Sequence, residues 1–270
     1  MSRLTLSEIW IYPIKSLAGI RLSKAKVKQK GLEFDRRMML VDENGRFITQ
    51  REHPMMALFR LSMDKGQLLV KSLLDDSNAS LVIGLDQPAR LPALTVTIWN
   101  DEVQTIELDP VYSDWFSTQL KMKCKLVFFP ESNVRDVDPV YAINNDQVSL
   151  ADGYPFLIIG QSTLDNLNRK LTSRVEMNRF RPNFVFTGGE PQEEDSWKNF
   201  SIGTNRFQGV KLCARCALPT VDPQTGVKGH EPISTLATYR KQGNKILFGQ
   251  NLLTIDYDEV SEGDEIELGA

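Results

Sequence analysis

The chain has 270 residues, 41% hydrophobic and 25% charged, without low-complexity tracts, which is the composition of a soluble globular protein of one large or two modest domains. No run nears the roughly 18 apolar residues of a membrane span, Met1-Ser2-Arg3 leads directly into a strand-like pattern, and three cysteines, an odd number, argue against a secreted disulfide framework. A cytoplasmic protein with reduced thiols, and with neither membrane nor nucleic-acid partners, is the expectation.

The net charge of −3 is unevenly spread: residues 1–52 carry eleven Lys and Arg against six Asp and Glu, so this part is +5 and the remainder −8. A basic segment can mark a polyanion site. The alternation of Lys24, Lys26, Lys28 and Lys30 instead fits the solvated face of one strand. Residues 3–14 alternate and close on Tyr12-Pro13, a strand running into a turn. Strands are predicted at Leu22–Gln29, Arg37–Asp42 and, after the Asn44-Gly45 hairpin signal, Arg46–Gln50. A meander follows through Leu58–Met63, Gln67–Ser72, Ser80–Leu85, Leu94–Trp99 and Val103–Leu108.

Asp109 is a good N-cap for a helix over Pro110–Leu120. Lys125–Phe129 is a strand, and Pro130–Asn145 is a long polar loop of the kind that often carries function. The domain boundary is placed near residue 120, giving domains 1–120 and 121–270. In the second half Phe156–Ile159 is a strand, and Ser162 caps a helix with Leu164, Leu167 and Leu171 on one stripe. Strands at Phe184–Thr187, Arg206–Leu212, Leu253–Tyr257 and Asp264–Leu268, with a helix at Pro232–Arg240, complete the reading. The fold class is mainly β (α+β), with barrel-like packing and a few short helices.

The chemistry concentrates at Leu212-Cys213-Ala214-Arg215-Cys216-Ala217-Leu218-Pro219-Thr220-Val221-Asp222-Pro223. A cation between two thiols favours the thiolate. The pair alone is open to several uses. A zinc half-site needs two further ligands, and only Cys124, His53 and His230 are on offer. A thioredoxin-type pair opens a helix, whereas Pro219, Thr220, Val221 and Pro223 oppose one. A third use is a single thiolate on a soft or redox-active metal.

The stretch from Cys213 to Gly226 closely resembles the signature of MOSC-domain molybdenum enzymes, the group of mitochondrial amidoxime-reducing components and YcbX-type proteins. Tyr12-Pro13-Ile14-Lys15-Ser16, Asp35-Arg36, Ile48-Thr49-Gln50-Arg51, Asp152-Gly153-Tyr154-Pro155, Phe180-Arg181-Pro182-Asn183, Glu194-Asp195-Ser196-Trp197 and Phe248-Gly249-Gln250-Asn251 resemble family motifs in family order. The resemblance implies a β-rich MOSC N-terminal domain followed by a barrel-like MOSC domain. It implies molybdenum ligated by Cys216, and a pterin cofactor whose phosphate is held by Lys15, Ser16, Arg36, Arg181 and Asn183. Asp152, Gly153 and Tyr154 would supply a turn beside it and Arg215 a further contact; Cys213 is a supporting thiol.

The implied activity is reduction of N-hydroxylated compounds, among them hydroxylamines, N-hydroxylated purine bases and amidoximes, to amines plus water. The alternative is a non-catalytic carrier of the cofactor or of sulfur. No cysteine follows Cys216, so no ferredoxin-type iron–sulfur cluster is expected within this chain. Electrons would come from a separate ferredoxin- or flavoprotein-type donor to a small-molecule substrate. Pro219, Gly153 and Tyr154 depart from residues common in relatives, which bears on the details of the pterin contacts.

Overall fold

A computed structural model describes residues 3–74, 79–86 and 92–269; Met1 and Ser2 lie outside the described residues. Strands dominate, with α-helices at Pro110–Leu120, Gln161–Asn168 and Ile233–Ala237 and a few 3-10 turns. The largest sheet runs, edge to edge, Ile266–Leu268, Asn199–Ile202, Asn205–Ala214, Lys245–Thr254, Phe156–Gly160, Phe184–Thr187, Thr5–Ile11 and Ile20–Leu22, with Lys241–Gln242 pairing beside Lys245–Thr254. The first strand of the chain therefore sits in a sheet built mainly from its second half. Thr5–Ile11 pairs antiparallel with Phe184–Thr187, matching Ile9 to Phe184.

The strand Phe156–Gly160 is buried at every residue. Phe156 and Ile158 join a phenylalanine-rich core with Phe184, Phe186, Phe200 and Phe207. Leu157 and Ile159 point the other way, into a core with Leu164, Leu167 and Leu236 from the two later helices. A strand covered on both faces reads as an unbroken apolar run because neither face meets water. Each such side chain contributes about 1.5–3 kcal/mol by burial.

The N-terminal region holds a sheet of Met38–Val41, Lys125–Phe128, Asp101–Glu107 and Ala93–Ile98, and a meander of Phe59–Asp64, Gln67–Ser72 and Ser80–Gly84. The helix Pro110–Leu120 closes one core there through Phe116, packed on Phe59. Its cap is the predicted one, since Asp109 Oδ1 accepts from the Val111 amide at 3.0 Å.

Several local expectations change, among them the predicted Leu22–Gln29, which is two strands, Ile20–Leu22 and Lys24–Lys28, and Leu253–Tyr257, which is the end of Lys245–Thr254. The second helix starts at Gln161 after Gly160, not at a Ser162 cap, and ends before Leu171. The Gly160 amide is instead satisfied by the buried carboxyl of Glu194, 34 residues on. Arg46–Gln50 forms isolated bridges rather than a strand. The third helix spans only Ile233–Ala237.

Candidate active site

Where Thr5–Ile11 ends, Pro13 breaks the ladder and residues 12–17 are stitched to residues 34–38. The Arg36 amide donates to the Tyr12 carbonyl at 3.0 Å, Met38 to Pro13 at 3.0 Å and Lys15 to Met38 at 2.8 Å. Behind this loop pair Asp35, 1% exposed, accepts from the Tyr12 amide (2.7 Å), Arg36 Nη1 (2.5 Å) and Asn183 Nδ2 (3.1 Å). Asn183 also donates to the Trp10 carbonyl and accepts from the Leu157 amide and from Arg36. Every hydrogen-bonding position of its amide is used, so its side chain braces Arg36.

The guanidinium carbons of Arg36 and Arg181 lie over the Tyr12 ring, at 4.3 and 4.1 Å from its centroid. Burial, then repulsion from Arg36, lowers the Arg181 pKa to about 10. Burial likewise pushes the Tyr12 hydroxyl well above the usual phenol range. Two cations around one buried ring, with a single carboxylate behind, leave positive charge for an anion to neutralise.

A second group forms at the turn after Leu150. The carbonyls of Ser149, Leu150, Ala151 and Asp152 all accept from side-chain cations, Leu150 from Lys15 Nζ at 2.8 Å and the other three from Arg135. Lys15 Nζ also meets Asp152 Oδ1 at 2.6 Å. Burial lowers Lys15 to about 8, with Asp152 opposing the shift. Lys15 and Arg51 beside Asp152 hold its carboxyl well below the usual range.

The strand Asn205–Ala214 carries two register breaks against Lys245–Thr254, at Gly209/Lys211 and at Leu212/Ala214. Such bulges re-aim side chains. A Cβ at Gly209 would lie 2.2 Å from the Trp197 carbonyl, so only glycine permits this path. The strand then delivers residues 211–216 to one cavity of about 650 Å³, within the usual size of ligand sites.

All ten sequence-predicted site residues line this cavity: Lys15, Ser16, Arg36, Asp152, Gly153, Tyr154, Arg181, Asn183, Arg215 and Cys216. Seven cations and four carboxylates line it, a net +3 within a chain of −3. Among the described non-glycine residues with positive φ, Ser16 (69°), Arg36 (47°) and Arg181 (57°) line the cavity, and Trp99 (56°) stands against its rim. Each such conformation costs about 1–3 kcal/mol and persists where the surroundings enforce it, typically at functional sites.

The two cysteines differ. Cys213 is partly buried against the helix-side core, whereas Cys216 is exposed. The expectation that Arg215 serves the reactive thiol is corrected by the geometry. Arg215 turns back, donating to Cys213 Sγ at 3.0 Å and to the Phe180 carbonyl at 2.7 Å. The cation beside Cys216 is Arg51, whose Nη1 lies 3.6 Å from Cys216 Sγ and 3.4 Å from Asp152 Oδ2. Sequence reading quoted Arg51 within a motif without giving it a role, and it missed Tyr12, Trp99 and Arg135 as site residues.

Two buried polar atoms of lining residues, Arg215 Nε and the Tyr154 hydroxyl, have no partner among the described residues. Neither does any group of three His, Cys, Asp or Glu side chains converge to hold a metal there. A zinc half-site at Cys213 and Cys216 thus lacks its other ligands. A lone thiolate suits a metal that brings its remaining ligands on an anionic carrier, and the cationic lining with spare donors fits such a carrier.

Comparison with known proteins identifies relatives of this chain. Residues 3–123 match the family described as the MOSC N-terminal beta barrel domain, and residues 145–267 match the MOSC domain. Mitochondrial amidoxime-reducing component 1 of Mus musculus is 32% identical over 281 residues, spanning 98% of this chain and 82% of the relative. Mitochondrial amidoxime reducing component 2 of Homo sapiens is 32% identical over 247 residues, spanning 87% and 72%. Molybdenum cofactor sulfurase of Arabidopsis thaliana is 30% identical over 286 residues, spanning 94% of this chain but 33% of the relative.

Proposed function

We propose that this chain, which belongs to the MOSC-domain family of the amidoxime-reducing components, is a molybdenum-cofactor-dependent reductase of N-hydroxylated compounds. The observation that carries the reading is one exposed thiol, Cys216, at a cavity with net positive lining and unpaired buried donors.

Cys216 would ligate the metal. Lys15, Ser16, Arg36 and Arg181 would hold the phosphate, with Asn183 keeping Arg36 in place. Arg215 Nε and the Tyr154 hydroxyl would find partners on the pterin, beside the turn at Asp152 and Gly153. When bound, the cofactor supplies a two-electron couple and an acceptor for the departing oxygen. The balance is one amidoxime, two electrons and two protons giving one amidine and one water, with electrons from a separate ferredoxin- or flavoprotein-type donor.

The chain's own contribution is positional. The buried cations fix a dianion without rearrangement, because Asp35, Asn183 and the Tyr12 ring already hold the guanidinium groups. Arg51 places a positive charge beside the one exposed thiol.

The test is protein made in a cofactor-competent host, assayed for molybdenum, pterin and reduction of benzamidoxime with a chemical electron donor. Stoichiometric cofactor with amidine formation is the expected result. The sulfurase relative motivates a second reading, a carrier of cofactor or sulfur; bound molybdenum without turnover would favour it.

A further inference from the structure

Arg51 and Trp99 form a unit that the cofactor grip does not require. The Arg51 guanidinium carbon lies 4.4 Å from the Trp99 ring centroid and 5.8 Å from that of Phe47. The Trp99 indole N–H donates to Asp152 Oδ1 at 3.3 Å, and Arg51 Nη1 meets Oδ2 of the same carboxylate. Phe47 braces the indole edge-on at 5.3 Å. Trp99 sits at the hairpin between Ala93–Ile98 and Asp101–Glu107 with φ 56°, a costly conformation for a bulky residue. The Arg51 carbonyl accepts from Lys228 Nζ at 3.2 Å, which fixes its backbone as well.

What this clamp leaves free is informative. Both side-chain hydrogen bonds of Arg51 leave from Nη1, to Asp152 and to Cys216 Sγ. Among the described residues nothing accepts from Nε or Nη2, and Arg51 lines the cavity. The Nε/Nη2 edge is the one through which guanidinium binds an oxygen acceptor side-on. Asp152 is already shared with Lys15, so it neutralises Arg51 only in part.

We propose that Arg51 is the substrate-binding residue for the oxygen of the N-hydroxylated group, delivered next to Cys216, and that Trp99 is the positioning residue that holds its guanidinium plane. This rests on the reductase reading for the identity of the ligand.

The test compares the cofactor-loaded full chain with R51K, R51Q, W99F and W99A by calorimetric titration of benzamidoxime and of benzamidine, which lacks the oxygen. Molybdenum content and benzamidoxime turnover are measured in parallel. R51Q and R51K should keep molybdenum and weaken benzamidoxime binding about tenfold to hundredfold, the worth of a charged hydrogen bond. Benzamidine binding should not fall. W99A should lose a few-fold to about thirtyfold in benzamidoxime affinity, the range of a cation–π contact, and W99F should recover most of it.

Unchanged benzamidoxime binding in R51Q overturns the proposal. So does loss of molybdenum and pterin in R51Q, which would make Arg51 part of the cofactor grip, and so does an equal fall for both ligands. If the loaded wild type binds benzamidoxime through Arg51 without reducing it, the reductase reading fails and the assignment of Arg51 stands. Turnover with an unchanged KM in R51Q is the reverse case.

Discussion

The cavity has two cationic walls built on opposite plans. On the inner wall Arg36, Arg181, Asn183, Tyr12 and Asp35 occupy one another almost completely, and the Asp35 side chain is wholly buried. On the outer wall Arg51, Lys15 and Trp99 share a single Asp152 carboxylate that is 54% exposed. The inner wall fixes a shape and a charge in advance; the outer wall keeps donors free beside the thiol. Rigidity and recognition are thus divided between two regions of one pocket.

The largest expected contrast is between the thiols. Cys216→Ala should abolish molybdenum retention, whereas Cys213→Ala should keep most of it; equal behaviour in metal analysis would erase the distinction between a ligand and its supporting neighbour. Next comes the stability of the walls. Asp35→Ala strips the inner wall of its carboxylate and should cost about 3–5 kcal/mol in denaturant unfolding. R51Q, on the outer wall, should cost under about 1 kcal/mol, as for ion pairs that share solvent.

A third test uses a buried acid away from both walls. Burial pushes Glu194 up to about 7, although the Gly160 amide and the Thr163 hydroxyl pull the other way. The folded state therefore holds this proton more tightly than the unfolded chain. Its contribution is complete below the ordinary carboxylate range and is lost as pH rises to and past about 7, by up to about 3 kcal/mol. Glu194→Gln should flatten that slope without altering anion binding. A separate effect belongs to Lys15, lowered to about 8. Its charge disappears as pH rises through that value, so calorimetric affinity for inorganic phosphate should fall by at most about tenfold per pH unit, and Lys15→Met should remove the dependence.

Much of the site was legible because each motif carries its own local geometry. Lys15, Ser16, Arg36, Asp152, Gly153, Tyr154 and Arg181 all reach one cavity, with Asp35 buried behind Arg36. Illegible was which cation faces which thiol. Arg215 lies next to Cys216 in sequence, yet its guanidinium folds back on Cys213, while Arg51 arrives from 165 positions away. Sequence proximity says nothing about side-chain direction where a strand is bulged.

The missed strands have a similar cause. Lys245–Thr254 was read only from Leu253 because Gly249, Gln250 and Asn251 break its apolar pattern. Gln250 is buried there by donating to the Trp197 carbonyl, a partner 53 residues earlier. The misplaced helix start has the same origin, in the distant carboxyl of Glu194.

The position of Thr5–Ile11 in the large sheet also bears on how the protein is made. That strand leaves the ribosome first, but its neighbour Phe184–Thr187 follows about 180 residues later. At 5–20 residues per second the interval is about 9–36 s. Throughout it the strand has Ile20–Leu22 on one side but lacks its partner on the other, and the inner wall, which needs Arg181 and Asn183, cannot assemble. Assembly of that wall therefore waits for residues 181–183 to be made.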